Sequence, residues 1–267
     1  MTSTTVRRTA LAASAAALAL LATACGGSSD DGAKGDGGKS PEAGTAASAS
    51  TAPEAAPAKA LTAAELKKAA LAQADVKSGK VTPLPAKDDI AQDGVKVDKA
   101  ECAPLAYLEV GTYTGKPAAT EKRSWQGDPK KPAAGASEEE QFMAGMDVTK
   151  VVVTLATYED GGAEQAMKDL NDAVGKCAGG YTATAQDTPN KALKVTKTEA
   201  PQGADEAVAV TLSLDMEDSD PAPFKGVAVR KGSTVAYFTA VNFAALANAS
   251  DFEFPTEIVQ AQLAKLA

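Results

Sequence analysis

Apolar positions recur with a helical period over residues 162–178. Ala163, Ala166, Met167, Leu170, Ala173, Val174 and Cys177 share one face, Glu164, Lys168, Asp169 and Asp172 lie elsewhere, and Gly179-Gly180 supplies a stop. Further along, the period falls to two. Val208, Val210, Leu212, Leu214 and Met216 alternate with Ala209, Thr211, Ser213 and Asp215, which predicts a strand with one apolar face. Residues 148–158 predict another strand, and the run Val151-Val152-Val153 suits a central position covered on both faces. Residues 226–230 and 234–241 flank Lys231-Gly232-Ser233 as a hairpin. Two weaker strands, 181–186 and 193–198, are separated by Thr188-Pro189-Asn190 as a turn. Thr62-Ala63-Ala64-Glu65 matches a capping box with Leu61 and Leu66 in the staple positions, so a helix is expected over 62–76. A last helix over 256–266 places Val259, Leu263 and Leu266 on one side. Antiparallel strands with helices between them and at the ends predict an α+β fold, a mainly antiparallel sheet with helices packed on one face.

The pattern is different upstream. Residues 1–24 carry Arg7 and Arg8, then an apolar stretch over 10–22, then Thr23 and Ala24, the order of a secretory signal peptide. Thirteen apolar residues at 1.5 Å each cover about 20 Å, short of a hydrocarbon core of roughly 30 Å. Cys25 follows Leu21-Ala22-Thr23-Ala24, a sequence that resembles the bacterial lipobox and implies a lipidated cysteine after cleavage. Two acyl chains such as palmitate would hold the protein on a membrane stably, where one would be marginal. Residues 26–60 contain no Val, Ile, Leu, Met, Phe, Trp, Tyr or Cys and have nothing to bury. The expected organisation is a signal peptide over 1–24, a lipid anchor and disordered tether over 25–60, and a single α+β domain over 61–267.

Composition removes whole classes of chemistry. The 267 residues include no His, so Ser-His-Asp and Cys-His catalytic sets and imidazole metal sites are excluded. With 27 Lys+Arg against 35 Asp+Glu and no basic run, no nucleic-acid partner is expected. The chain contains no GxGxxG, GxxxxGK[ST] or GxSxG motif, so no phosphate cradle or nucleophile elbow is expected and no cofactor is called for. A carboxylate-only enzyme needs two acids across a cleft, and nothing in the sequence places such a pair. Asp215, Glu217, Asp218 and Asp220 lack the central Gly and distal Glu of a calcium loop, and no metal site is expected there. Ser137-Glu138-Glu139-Glu140 reads as a charged loop or the start of a strand.

With Cys25 lipidated, Cys102 and Cys177 remain, and in an exported chain they are expected to form a disulfide. Tyr107, Tyr113 and Trp125 follow Cys102 in a Gly/Pro-rich region and are the candidate ligand-binding aromatics, because a flat apolar ring with a polar edge stacks on sugars and rings. Phe243, Phe252 and Phe254 are expected to pack around the last helix.

Glu101-Cys102 ahead of a short helix, the strand 151–158 running into Ala163-Glu164-Gln165-Ala166, the helix ending at Cys177 and the late hairpin together resemble a group of exported actinobacterial lipoproteins. More distantly they resemble the PknH-like extracellular sensor domain of bacterial receptor serine/threonine kinases. The resemblance implies a curved antiparallel sheet, helices beside it and a groove for an unidentified ligand. The chain departs from that pattern in having two domain cysteines rather than four and no Trp between Asn171 and Lys176. The expected function is a lipid-anchored extracytoplasmic binding or sensor lipoprotein with no catalytic site, on the outer face of the cytoplasmic membrane. Its partners would be the membrane, through the lipid on Cys25, and a small or apolar ligand or an envelope protein. The alternative is a structural or assembly lipoprotein that contacts another envelope protein.

Overall fold

The alternating and β-branched runs pair into one sheet in the computed structural model, which describes residues 59–216 and 219–267. In chain order the elements are α1 (Ala63–Ala69), β1 (Lys80–Pro83), β2 (Val95–Val97), α2 (Ala103–Glu109), β3 (Ala119–Gln126), α3 (Glu138–Met146), β4 (Thr149–Thr157), α4 (Gly162–Lys176), β5 (Tyr181–Ala185), β6 (Thr188–Thr198), β7 (Glu206–Leu214), β8 (Ala222–Lys231), β9 (Thr234–Asn242), α5 (Phe243–Asn248) and α6 (Thr256–Leu266). The strand order is β1-β3-β4-β9-β8-β7-β6-β5-β2, with every pairing antiparallel. The signal peptide, Cys25 and nearly all of the expected tether lie outside the described residues.

The central strands are apolar on both sides. Opposite β9, Val151, Val153 and Leu155 meet Ala240, Phe238 and Ala236, while Thr154 and Ala156 meet Tyr237 and Val235 on the other face. Leu105 and Leu108 of α2 and Met167 and Leu170 of α4 pack over Val208, Val210, Leu212 and Tyr237. Leu66 of α1 and Ile258, Val259 and Leu263 of α6 pack over Val151, Val153, Val227 and Phe238. The α+β class, the antiparallel sheet and the disulfide are as expected, but helices cover both faces rather than one. The physical reason is the apolar run in β4, which requires burial on each side.

The two edge strands are consecutive in sequence. Nine strands laid flat at about 4.8 Å spacing would separate β1 and β2 by about 38 Å. The link over 84–94 contains two 3₁₀ turns, 86–88 and 92–94, and cannot reach that far. The sheet is therefore rolled, with α2 and α4 on its inner side. The link crosses the gap through Lys122 Nζ to Asp89 Oδ1 (2.6 Å), Lys150 Nζ to Asp88 Oδ2 (2.7 Å) and Gln186 Nε2 to the Lys87 carbonyl (3.1 Å).

Cys102 and Cys177, with Cα atoms 5.9 Å apart, tie the start of α2 to the end of α4. Gly226 lets α2 lie close to β8, since a Cβ there would stand 2.7 Å from Leu108 Cδ2. The turn expected at 188–190 is instead part of β6, where Pro189 faces Thr184 of β5. Gln186 and Asp187, at φ of 50° and 60°, make a two-residue hairpin turn with both residues left-handed. Pro189 is tolerated because the β6–β7 register begins only at Ala192. Ser137 does not begin a strand or a loop. Its hydroxyl accepts from the Glu140 amide and Glu140 reaches back, so the acidic run opens α3 with a capping box.

Candidate functional site

A cleft of about 590 Å³ lies between α3, α5 and the segment leading to α6. That volume falls within the range of small-molecule sites. Its base is built where β4 starts and β9 ends. Asn242 is 4 % exposed; its Nδ2 donates to Asp147 Oδ1 (2.8 Å) and Thr149 Oγ1 (3.1 Å), and its Oδ1 accepts from the Ala245 amide (2.9 Å). The same side chain thus caps α5 and fixes the floor of the cleft. Burial works to raise the Asp147 carboxyl, but hydrogen bonds from Lys130 and Asn242 hold it below its ordinary value. Lys130 Nζ sits 2.5 Å from Asp147 Oδ2.

The lining carries both signs of charge: Lys130, Lys131, Pro132 and Ala133 ahead of α3, Glu140 and Asp147 in and after α3, and Asp251, Phe252 and Glu253 ahead of α6. Phe252 is buried, with Lys225 Nζ 5.0 Å from its ring centroid and 2.9 Å from Asp251 Oδ1. The Lys225 hydrogen bond holds Asp251 below its ordinary pKa. The arrangement can bind and orient a ligand.

A second polar group is buried inside the roll. Tyr181 donates to Glu109 Oε2 (2.8 Å), while Glu109 Oε1 and Thr112 Oγ1 have no hydrogen-bond partner among the described residues. Burial pushes the Glu109 carboxyl up to about 7, against the lowering effect of the Tyr181 hydrogen bond. Tyr158 and Tyr237 hydroxyls are 2.9 Å apart, and Tyr158 donates to the Thr114 carbonyl (2.7 Å), which pins the loop after α2. Burial raises all three tyrosines, Tyr237 to about 12.

No family model and no curated protein sequence matches the chain. The fold has distant structural relatives. One is the extracellular domain of PknH from Mycobacterium tuberculosis, at a TM-score of 0.44 and 12% identity over 78% of this chain and 95% of that one. Another is an uncharacterised protein from Mycobacterium smegmatis, at a TM-score of 0.31 and 13% identity over 71% of this chain and 87% of that one. The first of these is the kind of domain that the sequence distantly resembles.

The three candidate aromatics do not converge. Trp125 in β3 is 4 % exposed, belongs to the cluster under α1 and α6, and donates its Nε1–H to the Ser78 carbonyl (3.0 Å). Tyr113 packs against the cluster on the opposite face and also borders a groove beside β3. Tyr107 lines a separate groove between α2 and α4. Phe252 and Phe254 pack in the cluster with α6 as expected, but Phe243 is 39 % exposed. Of the acidic run, Glu217 and Asp218 lie outside the described residues, and Asp215 pairs with Lys191 at 3.0 Å. Among the described residues no group of three or more Cys, Asp or Glu is placed to hold a metal, and no helix is long and apolar enough to cross a membrane.

The cleft residues went unnoticed in the sequence because no motif marks them. Two signals were available: Ser137 three residues before Glu140, and Asn242 immediately before the apolar Phe243-Ala244-Ala245-Leu246.

Proposed function

We propose that the protein is a lipid-anchored extracytoplasmic binding or sensor lipoprotein on the outer face of the cytoplasmic membrane, and that its ligand occupies the cleft over Asn242. The observation that carries this reading is the cleft itself, with a hydrogen-bonded floor, a buried aromatic and both acidic and basic side chains in its lining. Its position supports the reading. The chain joins the sheet at the opposite end of β4, where Leu61 N donates to Thr157 Oγ1 (3.0 Å) and Ser233 Oγ donates to the Lys59 carbonyl (2.9 Å). Nine residues of strand place the cleft roughly 30 Å from that point. The segment before α1 therefore joins the domain at the end away from the cleft. No catalytic step is assigned to it.

Native mass spectrometry of the mature protein, extracted gently from the envelope of the producing cell, tests the reading. A discrete extra mass that survives buffer exchange is expected. A bare polypeptide mass in every preparation would overturn it. The anchor has its own test: Cys25→Ser is expected to release the protein from membranes, and unchanged retention would refute lipidation at that residue. The second reading, an assembly lipoprotein, draws support from Phe142 and Phe243, 66 % and 39 % exposed on the neighbouring helices α3 and α5.

A further inference from the structure

We infer that Lys122 and Lys150 form a binding site for a dicarboxylate, and that the chain's own strap over 84–94 fills this site with Asp88 and Asp89. Pairing of β3 with β4 sets Lys122 opposite Thr154 and Ser124 opposite Val152, so both share the inner face of the roll with Lys150 and Ala156. The site is separate from the cleft over Asn242, since Thr149 lines the cleft and Lys150, the next residue, lies on the other face of β4. A lysine seldom faces the inside of a fold, because its ammonium loses water there and needs an anion in exchange. The Lys122 and Lys150 side chains are 10 % and 28 % exposed. Their backbones stand about 13 Å apart along the strands, four residues of rise. Both ammonium groups nevertheless converge on neighbouring carboxylates, Lys122 Nζ at 2.6 Å from Asp89 Oδ1 and Lys150 Nζ at 2.7 Å from Asp88 Oδ2. The two cations are therefore placed for two acidic groups carried on one small backbone.

The strap is a weak occupant. None of residues 84–94 is fully buried, and β2, which follows, is three residues at the edge of the sheet. Beyond the two ion pairs, the strap is tied down by bonds from Lys122 to the Ile90 carbonyl (3.2 Å), from Gln186 to the Lys87 carbonyl (3.1 Å) and from Gln92 to the Tyr113 carbonyl (3.1 Å). A segment with so little buried apolar surface opens locally before the domain unfolds. β3 and β4 stay paired along their length when it does, and keep both lysines in place. Grooves of about 430 and 330 Å³ border the strap, both lined by Asp89 and Ala91 and the larger also by Lys122, and these give an approach. The strap acts as a tethered competitor, so an external dicarboxylate binds with an affinity reduced by the fraction of open molecules.

The test uses the mature chain, isotopically labelled, titrated by NMR with the blocked dipeptide acetyl-Asp-Asp-amide, and with acetyl-Asn-Asn-amide at equal ionic strength as control. Combining Asp88→Asn with Asp89→Asn frees the lysines without shortening the strap. That variant is expected to bind the acidic dipeptide about three- to tenfold more tightly than wild type, the combined worth of two partly exposed ion pairs. Adding Lys122→Met should abolish the gain. A second arm needs no variant to fold: in wild type, the acidic dipeptide at tens of millimolar is expected to speed amide exchange over 86–97 about twofold or more, while β4 and β9 keep their rates. Equal affinity of wild type and the double variant, a gain that survives Lys122→Met, or strap exchange no faster than with the control dipeptide would each overturn the inference. Shifts confined to 130–133 and 251–253 would put the dicarboxylate in the cleft and overturn it as well.

Discussion

Replacing Glu109 by Gln removes a titration that the fold makes unfavourable. Glu109 is 7 % exposed, its one hydrogen-bond partner among the described residues is the Tyr181 hydroxyl, and burial pushes its carboxyl from 4.5 up to about 7 in the folded protein. A difference of that size corresponds to about 3 kcal/mol of stability. The folded state holds the proton more tightly than the unfolded chain, so the contribution is fully present below about pH 4.5. It is lost as pH rises through about 7, and above that the folded protein carries a buried charge. Glutamine keeps an oxygen for Tyr181 without the charge. Urea unfolding at pH 5 and pH 8, with the disulfide intact, should show wild type losing about 2 to 3 kcal/mol more than Glu109→Gln between the two conditions. Carboxyls held low by partners, such as Asp147 and Asp251, weaken the fold only as pH falls through their own range and are common to both proteins. An identical pH dependence in the two proteins would refute a buried, hard-to-ionise Glu109.

Three further outcomes are expected. Reducing the Cys102–Cys177 bridge, which closes a loop of 75 residues, should lower stability by up to about 4 kcal/mol, measured as the difference in urea midpoint with and without reductant; an unchanged midpoint would contradict a stabilising clamp. Gly180→Ala should destabilise markedly, because φ is 87° and the added Cβ would stand 2.1 Å from the Ala192 carbonyl oxygen; a thermal midpoint within a degree of wild type would be inconsistent with that geometry. Ser137→Ala should cost about 1 kcal/mol locally, seen as faster amide exchange in α3 with little change in global unfolding, and unaltered exchange would show that the cap is not holding the helix.

What could be read from the sequence was what repeats with a fixed period. The helix now seen as α4, the alternation in β7, the β8–β9 hairpin and α6 each carry several apolar residues in register, and each lies within a few residues of its expected place. The strand β3 was missed because its apolar residues are few: Glu121, Lys122 and Arg123 hide a segment anchored mainly by Trp125 and its pairing to β4. Trp125 itself looked available because it stands among polar residues, yet the sheet turns it under α1. The rolled shape is invisible to any local window, since it follows from β1 and β2 lying at opposite edges. The cleft was hidden for a related reason. Lys131 is far along the chain from Asn242 and Glu253, and only the closing of β4 onto β9 brings their segments together.

Gln262 joins the two ends of the domain. Its Oε1 accepts from the Leu71 amide at 2.9 Å and its Nε2 donates to the Ala69 carbonyl at 2.7 Å, while Leu66 and Leu71 pack in one cluster with Val259 and Leu263. In chain order α1 is the first element of the domain, and although β3 offers it a surface, the backbone groups at its end wait for α6, the last element. The same delay applies to β4, whose strand partner β9 follows about 85 residues later. Until then the early segments have no completed core to lock into. A stop codon only a dozen residues early would take Thr256 and everything after it, removing α6 from beside α1 and leaving both of those backbone groups without the Gln262 bonds.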